Sequence, residues 1–180
     1  MKTMFLVILA AALVPFAAPA QQAPAPDANP VSSALRAIVA RESRVVVAGA
    51  EEMPADKYSY HPTPEQMTFG KLVAHMATSN FGLCSTISGV PAPKSDPLAE
   101  TDPKDKLVGA LKASFDFCTQ SLANLDDSKL GEQLPFFGGR TAPRATLMFV
   151  LASDFADHYS AEASYLRLNG LLPPTAQPRK

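Results

Sequence analysis

The sequence predicts an all-α protein, a four-helix bundle with long loops between its helices. Apolar residues recur every three or four positions in four separate segments, which is typical of helices with one buried face. Prolines divide the chain between those segments, and strict alternation of apolar and polar residues is hard to find. The chain has 180 residues, 47% of them hydrophobic, which is enough to bury the core of one domain.

Residues that favour helix starts and ends mark the limits of the first three helices. Pro30 opens the first segment, which runs over about 30–53, and the second runs over about 68–88. For the third segment we expect Asp102 as the N-cap, with a proline at the first helical position and an end near residue 125.

The fourth segment, about 141–169, is the most regular part of the chain. Gly170 stands where a left-handed C-cap belongs, and the Pro173-Pro174 pair prevents continuation of the helix. The stretch 126–140 before it is predicted to be either an irregular crossover or a short hairpin.

Residues 1–20 have the pattern of a secretory signal peptide: Lys2, an apolar run over 4–14, and Ala18-Pro19-Ala20 as a cleavage signal. An uncleaved anchor is the alternative, although the run is too short to span a bilayer. We therefore expect a periplasmic or secreted protein with no stable membrane insertion after cleavage. The predicted organisation continues with a disordered Pro/Ala tail, the bundle domain and a C-terminal tail, at 21–29, 30–174 and 175–180.

The charge balance bears on the partners of the protein. With 16 basic and 17 acidic residues the net charge is −1, so no basic field is available to attract nucleic acid. The predicted ligand is a small-molecule substrate whose identity the sequence leaves open. An apolar face on the first helix, Val45 to Val47, is the sign of a homodimer.

Polar residues on the apolar faces of two helices indicate a shared site. Asp154 and His158 are four residues apart and so stack on one stripe of the fourth helix, together with Leu151. On the second helix, His75 lies about 60° from Leu72, at the edge of the apolar face. Unpaired polar groups in a core cost about 1–3 kcal/mol each. Three protein ligands, with the remaining positions left to water or substrate, are typical of a catalytic metal centre.

Other interpretations of these residues stay open at this stage. Asp154 and His158 also suit a buried carboxylate–imidazole pair without a metal, and His75 suits a hydrogen-bonded core histidine. A non-covalent haem held by one Met and one His is a further alternative. No HExxH motif occurs and neither histidine has Glu three residues before it, which excludes a ferritin-like di-iron site.

The two cysteines, Cys84 and Cys118, lie at apolar-face positions of the second and third helices. An oxidising compartment permits a disulfide between them, and exported proteins seldom keep two free thiols. The alternative is a pair of buried free thiols on helices that are not adjacent.

Two stretches of the sequence resemble the signatures of a known family, the DinB superfamily of helical-bundle metalloproteins. The first is Pro62-Thr63-Pro64-Glu65-Gln66 with Phe69-Gly70-Lys71-Leu72-Val73-Ala74-His75. The second is Asp157-His158-Tyr159 followed by Tyr165-Leu166-Arg167-Leu168-Asn169-Gly170 and Pro173-Pro174. The resemblance covers residues 31–174 and implies a four-helix bundle of unusual connectivity that holds one divalent metal, typically zinc or nickel, through three histidines.

Within that resemblance, His75 matches the first ligand and His158 the last, while Asp154 stands where the family has its middle histidine. A carboxylate is an acceptable zinc ligand, and two His with one carboxylate also suit Mn or Fe(II); loss of metal binding is the alternative outcome of the replacement. The activities implied are thiol transfer and thiol-dependent isomerisation or hydrolysis. The prediction is an exported metal-dependent hydrolase or thiol transferase, and the alternative is a non-catalytic binding protein whose Asp/His pair is structural.

Further residues are candidates for supporting roles. Glu162, one turn beyond the last ligand, and Tyr165 are candidate catalytic residues or proton carriers, the alternatives being a solvated Glu and a half-buried core Tyr. Arg140, Arg144 and the loop 136–139 are candidates to cover the mouth of the site, and the alternative for the loop is ordinary hydrophobic plugging of the end of the bundle.

Two further polar residues are expected to take no part in the site. His61 precedes the second helix in a loop, and Asp157 points about a quarter-turn away from His158, so we expect neither to be a ligand.

Overall fold

A computed structural model describes residues 25–178 and has four helices, which confirms the predicted class. The helices are α1 (Pro30–Glu52), α2 (Phe69–Ser88), α3 (Lys104–Ser121) and α4 (Arg144–Leu168). The predicted signal peptide, 1–20, lies outside the described residues, as does the start of the predicted tail, 21–24. Over the described range, none of the helices is long and apolar enough to cross a membrane.

The stretch before α4 forms a hairpin, one of the two structures that the sequence left open. Strand β1 (Gln133–Phe136) pairs antiparallel with β2 (Arg140–Pro143). The turn contains Gly138 and Gly139, with φ of 68° and 72°, a left-handed conformation that glycine adopts without steric cost. Because residues 141–143 belong to β2, α4 begins three residues later than the sequence predicted.

Apart from the start of α4, the helix ends agree with the sequence signals except at α3, which ends at Ser121 rather than near residue 125. Gly170 has φ of 76° just beyond α4, as expected of a left-handed cap. The N-cap of α3 is Pro103 rather than Asp102. The Asp102 carboxylate instead accepts a hydrogen bond from the amide of Ala99 and pairs with Lys106, because the chain turns one residue later than predicted.

A disulfide joins Cys84 of α2 to Cys118 of α3, and both residues are buried. It lies in the contact between two adjacent helices. The core around it contains large apolar side chains from all four helices, among them Val39, Ile87, Phe115 and Leu151.

The apolar face expected on α1 does not reach the surface. Val46 is buried, and Val45 and Val47 are half-buried and pack against the core. These residues do lie on a helix, but the neighbouring helices cover more of α1 than the sequence indicated. The prediction of a homodimer therefore no longer has an exposed apolar face of α1 to support it.

Gly70 permits a close backbone contact at the start of α2, five residues before His75. Its amide donates to the carbonyl of Tyr58 at 2.7 Å, and a Cβ added there would lie 2.5 Å from the carbonyl oxygen of Glu100. The loop before α3 is thereby held against the first turn of α2.

We expect Gly70→Ala to lower the free energy of unfolding by about 1–3 kcal/mol, because one of the two backbones must move. Urea denaturation measures this. The control is Gly82→Ala in the same helix, where an added Cβ meets nothing within 4 Å and the gain in helix propensity is about 0.5–1 kcal/mol. Equal effects of the two substitutions would contradict the role of Gly70.

Candidate metal centre

Three side chains from two helices meet in the groove between α2 and α4. His75 comes from α2, while Asp154 and His158 lie one turn apart on α4, and one potential ligand atom from each lies within 4.8 Å of the others. The i,i+4 spacing puts the two α4 residues on one face of their helix. That face lies against α2, where His158 is opposite His75 and Asp154 is opposite Ser79. The structure thus brings together the three residues that the sequence predicted as metal ligands.

Hydrogen bonds orient the two α4 ligands. The Nδ1 atom of His158 lies 2.6 Å from the main-chain oxygen of Asp154, and since a carbonyl only accepts, Nδ1 carries the hydrogen. In the neutral imidazole this tautomer turns Nε2 to a metal as the free nitrogen, the usual arrangement for a ligating histidine. The hydroxyl of Ser79 donates to Oδ2 of Asp154 at 2.8 Å, which holds the carboxylate in place from the opposite helix.

The centre opens to solvent, in contrast to the inward position that the sequence predicted. The side chains of Asp154 and His158 are 23% and 12% exposed, and His75 is exposed. The stripe on α4 is buried at Leu147 and Leu151 but emerges into the groove at Asp154. Solvent and small molecules therefore have access to the three ligands.

The donor set and its spacing fit a divalent ion. Zinc bonds of roughly 2.0–2.2 Å to nitrogen and oxygen place two ligands of one ion about 3–4 Å apart. Ligand atoms that already lie within 4.8 Å need only small side-chain rotations to reach that spacing. Two imidazole nitrogens and one carboxylate oxygen suit Zn, Ni, Mn or Fe(II).

A cleft of about 480 Å³ begins at His75 and Asp154 and is bounded by α2, α4 and the hairpin. Phe136 and Phe137 line it, so the hairpin borders the site, which is one of the two roles that the sequence left open for this loop. Gly82 and two threonines of α2 also line the cleft. No sequence signal marks them, because their place in the cleft depends on where the hairpin folds back.

The two arginines expected at the mouth of the site do not line the cleft. Arg144 is buried and donates to Oε2 of Glu132 at 2.6 Å. Arg140 donates to the carbonyl of Phe137, and its guanidinium lies 5.4 Å from the ring centre of Phe136. Both arginines support the hairpin.

Glu162 is buried, so the expectation of a solvated side chain is wrong. It is 0% exposed and lies against Gly49 of α1, where an added Cβ would be 2.8 Å from the carboxyl carbon. Neither carboxyl oxygen has a hydrogen-bond partner. Burial, and secondarily the charge of Glu42, raise the pKa of Glu162 well above its usual value. The α1 helix covers this residue, and it does not line the cleft.

Tyr165 is also buried away from the cleft. Its hydroxyl donates to the carbonyl of Met67 at 2.9 Å, and its ring contacts Tyr60 and Phe69. The geometry therefore offers no catalytic contact for either Glu162 or Tyr165.

The other two polar residues considered in the sequence lie outside the centre, as expected. Both are exposed, and Nδ1 of His61 lies 2.8 Å from the carbonyl of Thr63. Neither His61 nor Asp157 belongs to the three-residue cluster.

Comparison with solved structures shows the same fold in other proteins. A DinB-like protein from Bacillus subtilis is 21% identical with a TM-score of 0.64, and the match covers 82% of this chain and 99% of that one. A DinB-like protein from Bacillus cereus ATCC 10987 is 14% identical with a TM-score of 0.65, covering 79% and 95% respectively. At these identities the likeness concerns the fold alone.

Comparison with curated proteins returns no significant match. The sequence profile of the DinB superfamily matches residues 37–160, a range that includes His75, Asp154 and His158. This match extends over more than half of the chain and agrees with the two sequence signatures and with the fold. The chain belongs to the DinB superfamily.

Proposed function

We propose that the protein is exported and binds one divalent metal ion through His75, Asp154 and His158. We further propose that it is a hydrolase or thiol transferase that acts on a small molecule bound in the adjacent cleft. The main support is the convergence of the three ligand atoms within 4.8 Å at one end of a cleft of about 480 Å³. Membership of a superfamily whose members often bind metals supports the same proposal.

A bound ion would supply Lewis-acid chemistry, lowering the pKa of a bound water or thiol and stabilising negative charge that develops during the reaction. The protein's own contribution is positional. The Asp154 carbonyl sets the tautomer of His158, and Ser79 holds the Asp154 carboxylate. With a carboxylate in place of a third imidazole, the net charge of the centre is one unit lower.

A non-catalytic role is the second candidate, and one observation favours it. The Nδ1 atom of His158 lies 2.6 Å from the main-chain oxygen of Asp154 and 3.4 Å from its Oδ1, and the Asp154 carboxylate also accepts from Ser79. An acid–imidazole pair of this kind is stable without a metal. Metal analysis separates the two candidates.

We expect the purified protein, after incubation with Zn, Ni, Mn or Fe(II), to hold about one equivalent of metal. His75→Ala and Asp154→Ala should reduce the content to background, because each removes one of three ligands. Ser79→Ala should weaken binding by about 10–100-fold, the usual effect of losing a group that orients a ligand. Elemental analysis after dialysis measures all of these.

Matched controls exist for both ligand types. His61→Ala removes an exposed histidine and Asp157→Ala an exposed aspartate of α4, and neither should change the metal content. Absence of metal from the parent protein under all four conditions would contradict the proposed metal centre. Asp154 and His158 would then have only a structural role, as an acid–imidazole pair. Equal losses in the control variants would show that binding occurs elsewhere.

A further inference from the structure

The cleft beside the three ligands follows one face of α2. His75, Ser79, Gly82 and Thr86 all line it, and their spacing of three or four residues places them on one side of the helix. The distance along the helix from the first to the last is about 16 Å. A volume of about 480 Å³ is typical of a site for a small molecule.

The hydroxyl groups that line the cleft are already engaged. Those of Thr78 and Thr86 donate to main-chain carbonyls of α2, each at 2.9 Å, and that of Ser79 donates to Asp154. Their hydrogens are therefore unavailable to a ligand, and their oxygens remain only as acceptors. The ionisable groups of the cleft, His75 and Asp154, both lie at one end of it.

The cleft also lacks positive charge along its length. Among the residues that line it, only His75 and Asp154 ionise. The arginine on the adjoining part of α4, Arg144, is occupied by Glu132, and Arg140 lies over the ring of Phe136. A carboxylate or phosphate bound away from the metal centre would lose its hydration without gaining a partner.

The remaining surface of the cleft is apolar. Leu83 and Leu147 contribute from the helices, and Phe136 and Phe137 from the hairpin, with their rings 5.0 Å apart. Phe137 is 62% exposed, which leaves its ring free to contact a ligand. Between these side chains, Gly82 leaves open space, since a Cβ there would meet nothing within 4 Å.

We propose that this cleft binds the uncharged alkyl or aryl tail of a small-molecule substrate whose single polar head group lies against His75, Asp154 and His158. The inference rests on the metal centre proposed above and adds the class of substrate. The tail lies along α2 toward Thr86, under the two phenylalanines of the hairpin. Substrates with charged tails are disfavoured because nothing along the cleft replaces their hydration.

Alkyl hydroxamates test this directly, because the head group binds a divalent metal and the chain length varies. On the zinc-loaded protein, calorimetry should show affinity rising by up to about fourfold for each buried methylene from acetohydroxamate to octanohydroxamate. A hydroxamate of the same length that ends in a carboxylate should lose most of that gain. Affinity independent of chain length would overturn the proposal.

Two substitutions locate the binding surface. Gly82→Phe should fill the cleft and abolish the gain with chain length, while acetohydroxamate binding and metal content stay unchanged. The control is Gly109→Phe, at an exposed glycine of α3 where an added Cβ also meets nothing within 4 Å. Phe137→Ser, at an exposed position, should also reduce the gain in affinity with chain length. It tests the cleft even if Gly82→Phe does not fold. Unchanged octanohydroxamate affinity in both cleft variants would place the tail elsewhere.

A metal-free series distinguishes this inference from the metal centre itself. Primary alcohols from ethanol to octanol need no metal, and their affinity for the chelator-treated protein should rise with chain length and respond to Gly82→Phe. That result, in a protein that binds no zinc, would support the apolar cleft although the metal centre had failed. Zinc binding with no chain-length effect in either series would leave the metal centre intact and overturn the cleft.

Discussion

The Glu162→Gln variant is expected to be more stable than the parent protein near pH 8 and about as stable near pH 4. The carboxyl of Glu162 is fully buried between α1 and α4, and neither oxygen has a hydrogen-bond partner. Burial first, and then the charge of Glu42, raise its pKa well above the ordinary value. The folded protein therefore keeps this carboxyl protonated at a pH where the unfolded chain has released the proton.

The sign of the pH effect follows from that difference. Below the pKa of the unfolded chain, about 4.3, both states hold the proton and the group has no pH-dependent cost. Above it, the free energy of unfolding falls by about 1.4 kcal/mol per pH unit until the pKa of the folded state is reached. Glutamine has nearly the same shape and does not ionise, so the variant escapes this loss.

Urea denaturation of both proteins across this pH range measures the effect. The difference between the two curves should widen as pH rises, whereas the contributions of carboxyl groups that do not interact with Glu162 cancel. Glu51→Gln is the control, because Glu51 lies exposed on α1 and pairs with Lys112 at the surface, where an ion pair contributes about 0–1 kcal/mol. Parallel curves for the parent and Glu162→Gln would show that Glu162 is ionised in the folded state.

Loss of the disulfide is the second large effect that we expect. Cys84 and Cys118 are 34 residues apart, and the loop-closure entropy of a cross-link of that length corresponds to about 4 kcal/mol. Loss of the bond acts mainly by releasing the unfolded chain from this constraint. The bond joins α2, which carries His75, to α3, and neither cysteine is one of the candidate ligands.

The double variant Cys84→Ala, Cys118→Ala and the reduced parent provide the comparison, again by urea denaturation. Reductant should destabilise the parent by roughly 2–4 kcal/mol and leave the double variant unchanged. The double variant should fall slightly below the reduced parent, because two buried sulfur atoms are also lost. A parent protein insensitive to reductant would show that the bond contributes nothing to stability. Metal content should stay the same throughout.

Much of the candidate centre was predictable because its geometry is local. Asp154 and His158 are neighbours on any α-helix, since four residues make about one turn. The assignment of that stretch to a helix needed only apolar periodicity and a glycine cap at Gly170. His75 is 75 or more residues away from Asp154 and His158 in the sequence. Periodicity does not show that such distant residues meet, and the resemblance to the two family signatures is what indicated it.

Other features depended on contacts between distant parts of the chain. Whether residues 126–140 formed a hairpin or a crossover depended on strand pairing, which the short segment did not reveal. The N-cap of α3 is Pro103 instead of Asp102 because the chain turns one residue later than predicted, and the Asp102 carboxylate then binds Ala99 and Lys106. The position of the hairpin over α2 then made Gly82 part of a cleft.

The four helices and the candidate ligand types at positions 75, 154 and 158 could be predicted from the sequence, because they follow from short-range spacing and residue identity. Which polar side chains reach solvent depends on contacts between helices and could not be predicted in this way. Asp154 and Glu162 lie two turns apart on α4, yet the first opens into a groove while the second is covered by α1, where Gly49 leaves room for its carboxyl. Helical periodicity states which residues share a face, whereas burial depends on the neighbour that packs against that face.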